Sequence, residues 1–167
     1  LGMGRIGRAV AQRARGFGME IHYHNRNKLS SDLELGATYH KDIKSLFAES
    51  EFLSINCPAT AETTNLLNQE TIKFLPDKAV VVNAARGDII DDKAMIQVMK
   101  SGKIFALGLD VYNGEPKINE EYLKLDNLFL LPHLGSSTKR TRIDMGDRAI
   151  DNLEVFFSGK KPKDQVN

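Results

Sequence analysis

Gly2-Met3-Gly4-Arg5-Ile6-Gly7 fits the pattern G-x-G-x-x-G, and no other feature narrows the folding choices of this chain as far. In that pattern the first glycine permits a tight turn and the second lets the backbone approach a pyrophosphate. The third lets a helix pack closely on a sheet. The helix that follows aims its N-terminal N–H groups at the phosphates. So short a match takes its meaning from context, a helix directly after it and then a strand. Both are expected. Residues 5–17 carry Ile6, Ala9, Val10, Ala14 and Phe17 at helical spacing, and Ile21-His22-Tyr23-His24 is β-rich. The strand that should precede the motif is reduced to Leu1. In a sheet of order 3-2-1-4-5-6 that strand is central, and its loss exposes two edges. The natural polypeptide is therefore expected to begin further upstream.

The alternation continues. Further strands are predicted over Phe52–Asn56, Ala79–Asn83, Phe105–Asp110 and Leu128–Leu131. Most are continuous apolar runs, the pattern of parallel strands buried on both faces. Asp91–Ser101 reads as a helix with acidic residues at its positive end and Gly102 as its stop. Ser136–Phe157 reads as a long helix with Ile143, Gly146, Ile150, Leu153 and Phe157 in one stripe. This is an α/β fold, a doubly wound parallel sheet of the Rossmann type. Residues 1–135 form the expected dinucleotide-binding domain and 136–157 the long C-terminal helix. Residues 158–167 are expected to form a solvated tail.

Composition narrows the function classes. The 167 residues are 41% hydrophobic and 27% charged, with a net charge of +1. Such a balance advertises neither nucleic acid nor an anionic membrane as a partner. Cys57 is the single cysteine, so an intrachain disulfide is impossible, the usual zinc patterns are absent and a reducing cytoplasm fits. Cys57 itself reads as a small packing residue. No apolar run is long enough to span a bilayer.

An acid that reads the adenine ribose is expected about 20 residues past the motif. Here that place holds His24-Asn25-Arg26-Asn27, with Asn25 lying 25 − 7 = 18 positions past Gly7. The acid is missing. An Asp repels a 2′-phosphate, whereas an Arg pairs with it. The Asn25-Arg26 pair therefore favours NADP(H) over NAD(H). The competing reading makes Arg26 a surface charge and Asn25 a ribose contact of NAD.

Three later strands end in chemistry-bearing residues: Ala84-Ala85-Arg86-Gly87-Asp88, then Asp110 with Glu115-Pro116, then Pro132-His133 with Gly135. Ligands of open α/β sheets bind at the carboxyl ends of the strands, so an Arg, an acid and a His share the glycine loop's edge. Taken singly, each has a plainer reading as a surface charge, a loop acid or a turn.

In this order and spacing the segments resemble the cofactor domain of the D-isomer-specific 2-hydroxyacid dehydrogenases. The resemblance runs from Leu1 to about Gly159. It rests on the glycine motif, Cys57-Pro58 with Glu62-Thr63, Asn83-Ala84-Ala85-Arg86-Gly87, Leu109-Asp110-Val111 with Glu115-Pro116, and Pro132-His133-Leu134-Gly135. It implies that Arg86 binds the substrate carboxylate and carbonyl, that His133 is the general acid/base and that Glu115 supports it. It implies cofactor contacts at Gly2, Gly4, Arg5, Ile6 and Gly7, and at Asn25 and Arg26. Cys57, Pro58 and Thr63 would line the adenine side. Ala84, Ala85, Arg86, Asp110, His133 and Gly135 would line the nicotinamide side. No metal is implied. His22 and His24 read as structural and His40 has no role.

Glu115 differs from the glutamine that formate dehydrogenases of the same superfamily place there. The Asn25-Arg26 pair is similar to NADPH-preferring glyoxylate and hydroxypyruvate reductases. The implied reaction is hydride transfer between NADP(H) and a small 2-keto or 2-hydroxy acid. An NAD-dependent dehydrogenase of phosphoglycerate or lactate type is the alternative. A second is a non-catalytic nucleotide-sensing protein of the same fold, such as a corepressor. The family's substrate domain is built mostly from sequence before the glycine motif, so it is expected to be largely absent here. The chain alone is expected to be inactive, and its full-length parent to be a cytoplasmic homodimer.

Overall fold

Helix α1 (Arg5–Arg15) starts directly at the glycine motif, with Gly4 as its N-cap and Gly16 as its C-cap. It stops short of the expected Phe17 because the chain turns out of helical geometry, reaching φ +74° at Gly18. The computed structural model describes residues 1–166, so Asn167, the last residue of the expected tail, lies outside the described residues. Strand β1 (His22–Tyr23) pairs in parallel with β2 (Thr38–Tyr39), and helix α2 (Ser31–Glu34) connects them. Helix α3 (Ile43–Ala48) follows, capped by Asp42, whose side chain accepts from the Ser45 N–H.

The remaining strands form a second parallel sheet. Its order is β3 (Phe52–Ile55), β4 (Ala79–Asn83), β5 (Ile104–Leu109), β6 (Leu128–Leu130). Helix α4 (Gln69–Ile72) joins β3 to β4, and α5 (Asp92–Lys100) joins β4 to β5. A capping box at Asn68 starts α4, and the Asp91 carboxylate starts α5 by accepting from the Ala94 N–H. The elements not foreseen, β2, α2, α3 and α4, have two to six residues each. Elements so short carry too little periodicity to be read from sequence.

The predicted sheet is split between β1 and β3, and Leu1 lies in the gap. The Leu1 nitrogen donates to the Ser54 carbonyl at 2.8 Å. The Leu1 carbonyl accepts from the Asn56 N–H at 2.8 Å, and the Gly2 N–H donates to the His24 carbonyl at 3.0 Å. Leu1 and Gly2 thus make strand-like bonds to both neighbours, where the central strand of the predicted order belongs. A cavity of about 770 Å³ continues the gap, lined by Leu1, Val10, Tyr23, Leu53 and Pro76 among others.

The expectation of strands buried on both faces does not hold. Leu53, Ile55, Val81, Ile104, Leu107 and Leu109 are buried with Leu46, Phe47, Ile72 and Met95 of the helices. The alternate residues Phe52, Val82 and Phe129 are exposed, at 60%, 43% and 67%. The cause is topological. Strands that pair in chain order, joined by crossovers of one hand, put their helices on one face. A smaller cluster of Met3, Ala11, Tyr23 and Ala37 packs α1 against β1.

Two compact units divide between Pro132 and His133. In the second, Thr138 caps helix α6 (Lys139–Phe157) by accepting from the Thr141 N–H. None of its residues is buried, and Ile143, Ile150, Leu153 and Phe157 of the expected stripe are all exposed. The described tail residues are exposed, Pro162 in part. Asp164 takes a two-pronged bond from Arg148 and one from Asn152, because its carboxylate matches the guanidinium fork.

Candidate active site

The glycine loop is shaped by close approaches. Gly2 has φ +87°, and a Cβ there would sit 2.5 Å from the Cys57 nitrogen. A Cβ on Gly7 would meet the Gly2 carbonyl oxygen at 2.1 Å. Only glycine allows Cys57, the loop and α1 to stack this tightly. Gly4 differs: a Cβ there would meet nothing within 4 Å. Its side chain cannot cap α1, and the first turn holds no acidic residue. The helix therefore offers its first N–H groups, with the positive end of its dipole, to open space beside exposed Arg5 and Ile6. A dinucleotide pyrophosphate fits such a cradle.

The end of β1 lies against this loop. The Met3 N–H donates to Asn25 Oδ1 at 2.7 Å. The Tyr39 hydroxyl donates to the Asn25 carbonyl at 3.3 Å. Arg26 is exposed. Its positive field reaches Glu62, whose carboxyl is held below the usual range first by a hydrogen bond from Thr60 and also by Arg26.

Within the 57–63 loop Cys57 is buried, and desolvation pushes its thiol up from the ordinary value. It packs within the larger core cluster. Pro58 is exposed. Thr63 braces the loop, its Oγ1 accepting from the Thr60 N–H and donating to the Pro58 carbonyl, both at 2.7 Å.

After β4, Asn83 organises the turn. It is fully buried. Its Oδ1 accepts from the Ala85 N–H at 3.0 Å, and its Nδ2 donates to the Arg86 carbonyl at 2.8 Å. The exposed Arg86 side chain folds back, Nη1 donating to the Ala85 carbonyl at 2.6 Å. A Cβ on Gly87 would sit 2.1 Å from the Tyr112 carbonyl carbon, so this turn presses on the loop that follows β5. The Asp110 N–H donates to the Asn83 carbonyl at 3.0 Å. The Tyr112 N–H donates to Glu115 Oε1 at 3.0 Å. Ala84, Ala85, Arg86, Asp110 and Glu115 thus share one edge of the first unit. His133 opens the second unit, three residues past β6, with φ +57°. Histidine is among the residues that tolerate this left-handed region. Gly135 follows two residues later.

Sequence reasoning gave Asn83 no role, although a polar residue ending an apolar strand was the signal available. It also left His40 without one. His40 Nε2 faces His22 Nδ1 at 2.9 Å, and His40 Nδ1 lies 3.1 Å from Ser45 Oγ. His24 Nδ1 reaches the His40 carbonyl at 2.9 Å.

A family model described as the NAD-binding domain of D-isomer specific 2-hydroxyacid dehydrogenase matches residues 1–135. The chain is 44% identical over 160 residues to a glycerate dehydrogenase of Hyphomicrobium methylovorum, covering 95% of this chain and 50% of that one. It is 41% identical over 168 residues to a glyoxylate reductase of Thermococcus litoralis, covering 100% of this chain and 50% of that one. Among solved structures it resembles an NADPH-dependent glyoxylate/hydroxypyruvate reductase of Sinorhizobium meliloti, in complex with NADP and malonate. The TM-score is 0.94 at 36% identity, with 99% of this chain and 51% of that one covered. The chain spans about half the length of these relatives.

Proposed function

The chain belongs to the D-isomer specific 2-hydroxyacid dehydrogenase family through its NAD-binding domain, and on that premise we propose that it seats NADP(H) for reduction of a small 2-keto acid, of glyoxylate or hydroxypyruvate type. The observation that carries this reading is the end of β1. It presents neutral Asn25 and basic Arg26 beside an open, uncapped helix start. A 2′-phosphate there would meet a guanidinium and no carboxylate of that strand end. The Sinorhizobium meliloti glyoxylate/hydroxypyruvate reductase and the Thermococcus litoralis glyoxylate reductase support the same substrate class.

The pyrophosphate would lie on the N–H groups of α1 and the open face of Gly4. A nicotinamide cofactor, when bound, would supply hydride chemistry at this edge. Arg86 would turn from its own loop and hold the substrate carboxylate by a planar fork. His133 would give its proton to the carbonyl oxygen as it becomes an alkoxide, and take one back in the oxidative direction. Glu115 would serve as the supporting carboxylate that the family resemblance assigns to it. In this reading the whole protein is a cytoplasmic homodimer.

Calorimetric titration of the chain with NADPH and, separately, NADH tests the proposal. Tighter binding of NADPH is expected, by about tenfold or more for one charge-assisted pair. Tighter binding of NADH would overturn the cofactor assignment and point to an NAD-dependent dehydrogenase.

A further inference from the structure

The Met3 nitrogen is a main-chain amide and can only donate, so the Asn25 atom facing it at 2.7 Å is the carboxamide oxygen. The adjacent Gly2 N–H is bonded to the His24 carbonyl at 3.0 Å. Two successive amides of the glycine loop are therefore tied to two successive residues at the end of β1. Asn25 is in turn fixed from β2, its carbonyl accepting from the Tyr39 hydroxyl. The Met3 side chain is 4% exposed and anchored in the smaller core with Ala11 and Tyr23. The loop is thus held from below by packing and from the side by one carboxamide.

We propose that Asn25 is a positioning residue for the glycine loop: its Oδ1 fixes the Met3 amide, and with it the open approach over Gly4. This rests on the reading of the loop as a dinucleotide seat and adds a division of labour within one side chain. The oxygen is used inside the protein. Nδ2 is left as a donor at the place where an aspartate would present a second acceptor. Asn25 therefore keeps the loop geometry that an aspartate could also keep, while turning a donor toward the ribose side.

Two readouts separate positioning from direct ribose contact. The first is hydrogen exchange at the Met3 amide of the ligand-free chain. The second is titration with NADH and with inorganic pyrophosphate, which carries no ribose. Asn25→Ala is expected to speed Met3 exchange about tenfold and to weaken both ligands about tenfold, the loss of one hydrogen bond. Asn25→Asp restores the acceptor and is expected to return Met3 exchange to within about twofold of the unsubstituted chain. Unchanged Met3 exchange in Asn25→Ala would overturn the proposal. So would weakened NADH binding with unchanged pyrophosphate binding, which would make Asn25 a ribose contact only. If the unsubstituted chain binds neither NADH nor NADPH, the dinucleotide reading itself falls, and the positioning role with it.

Discussion

Asn83 shows how one residue can hold a site that it does not enter. Its two side-chain atoms close the turn that carries Ala85 and Arg86, and its carbonyl accepts from the Asp110 N–H. Asn83→Ala would remove both bonds, to the Ala85 N–H and the Arg86 carbonyl, at partly buried positions. A loss of about 1–2 kcal/mol is expected, the net worth of two hydrogen bonds. Urea denaturation at neutral pH checks it, and an unchanged midpoint would mean that the turn is held otherwise. Individual residues were legible where covalent structure dictates the role. Glycine is forced at Gly2, Gly7 and Gly87 by backbone atoms closer than any Cβ tolerates. The positioning residues Asn83, Asn25 and Tyr39 were less legible. Their partners are backbone atoms of other elements, and no sequence spacing encodes those contacts.

Between elements, the β1–β2 pair rests on a histidine network. His22 on β1 and His40 beyond β2 share one ring–ring hydrogen bond, with ring centroids 5.1 Å apart. Glu20, His24, Asp42 and Glu49 surround the pair. Burial first, and His22 second, hold His40 below its ordinary value of 6.5, against the opposing pull of Glu49 and Asp42. As pH falls, the unfolded chain therefore takes up this proton before the folded chain does. The stabilisation is complete above about 6.5 and is lost as pH falls through the depressed folded value. Thermal midpoints measured from pH 8 to 5 should decline, and His40→Gln should flatten that decline. An equally steep decline in His40→Gln would remove His40 as its source. The long elements were legible because α1, α5 and α6 span two or more turns. The one-turn helices and two-residue strands were not, since local hydrogen bonds and packing, rather than periodicity, define them.

Across the whole molecule, the sheet exposes one apolar face. Phe52, Val82 and Phe129 point away from the side that α3, α4 and α5 cover. Exposed apolar patches of this kind favour association. The double substitution Val82→Thr with Phe129→Lys should reduce light scattering at high concentration. It should change stability by no more than about 0.5 kcal/mol per site. Unchanged scattering would mean that this face is not the adhesive one. The sequence by itself determined the fold class, the order of the main strands and the edge on which Arg86, Asp110 and Glu115 gather. Each of these follows from short-range rules, namely glycine sterics, apolar runs and the placement of ligands at strand ends. Tertiary structure alone decided that the sheet is covered on one face, that Asn25 spends its oxygen on the glycine loop and that Cys57 lies beneath Gly2. Those outcomes depend on distances between residues far apart in the chain, and such distances exist only once the chain has packed.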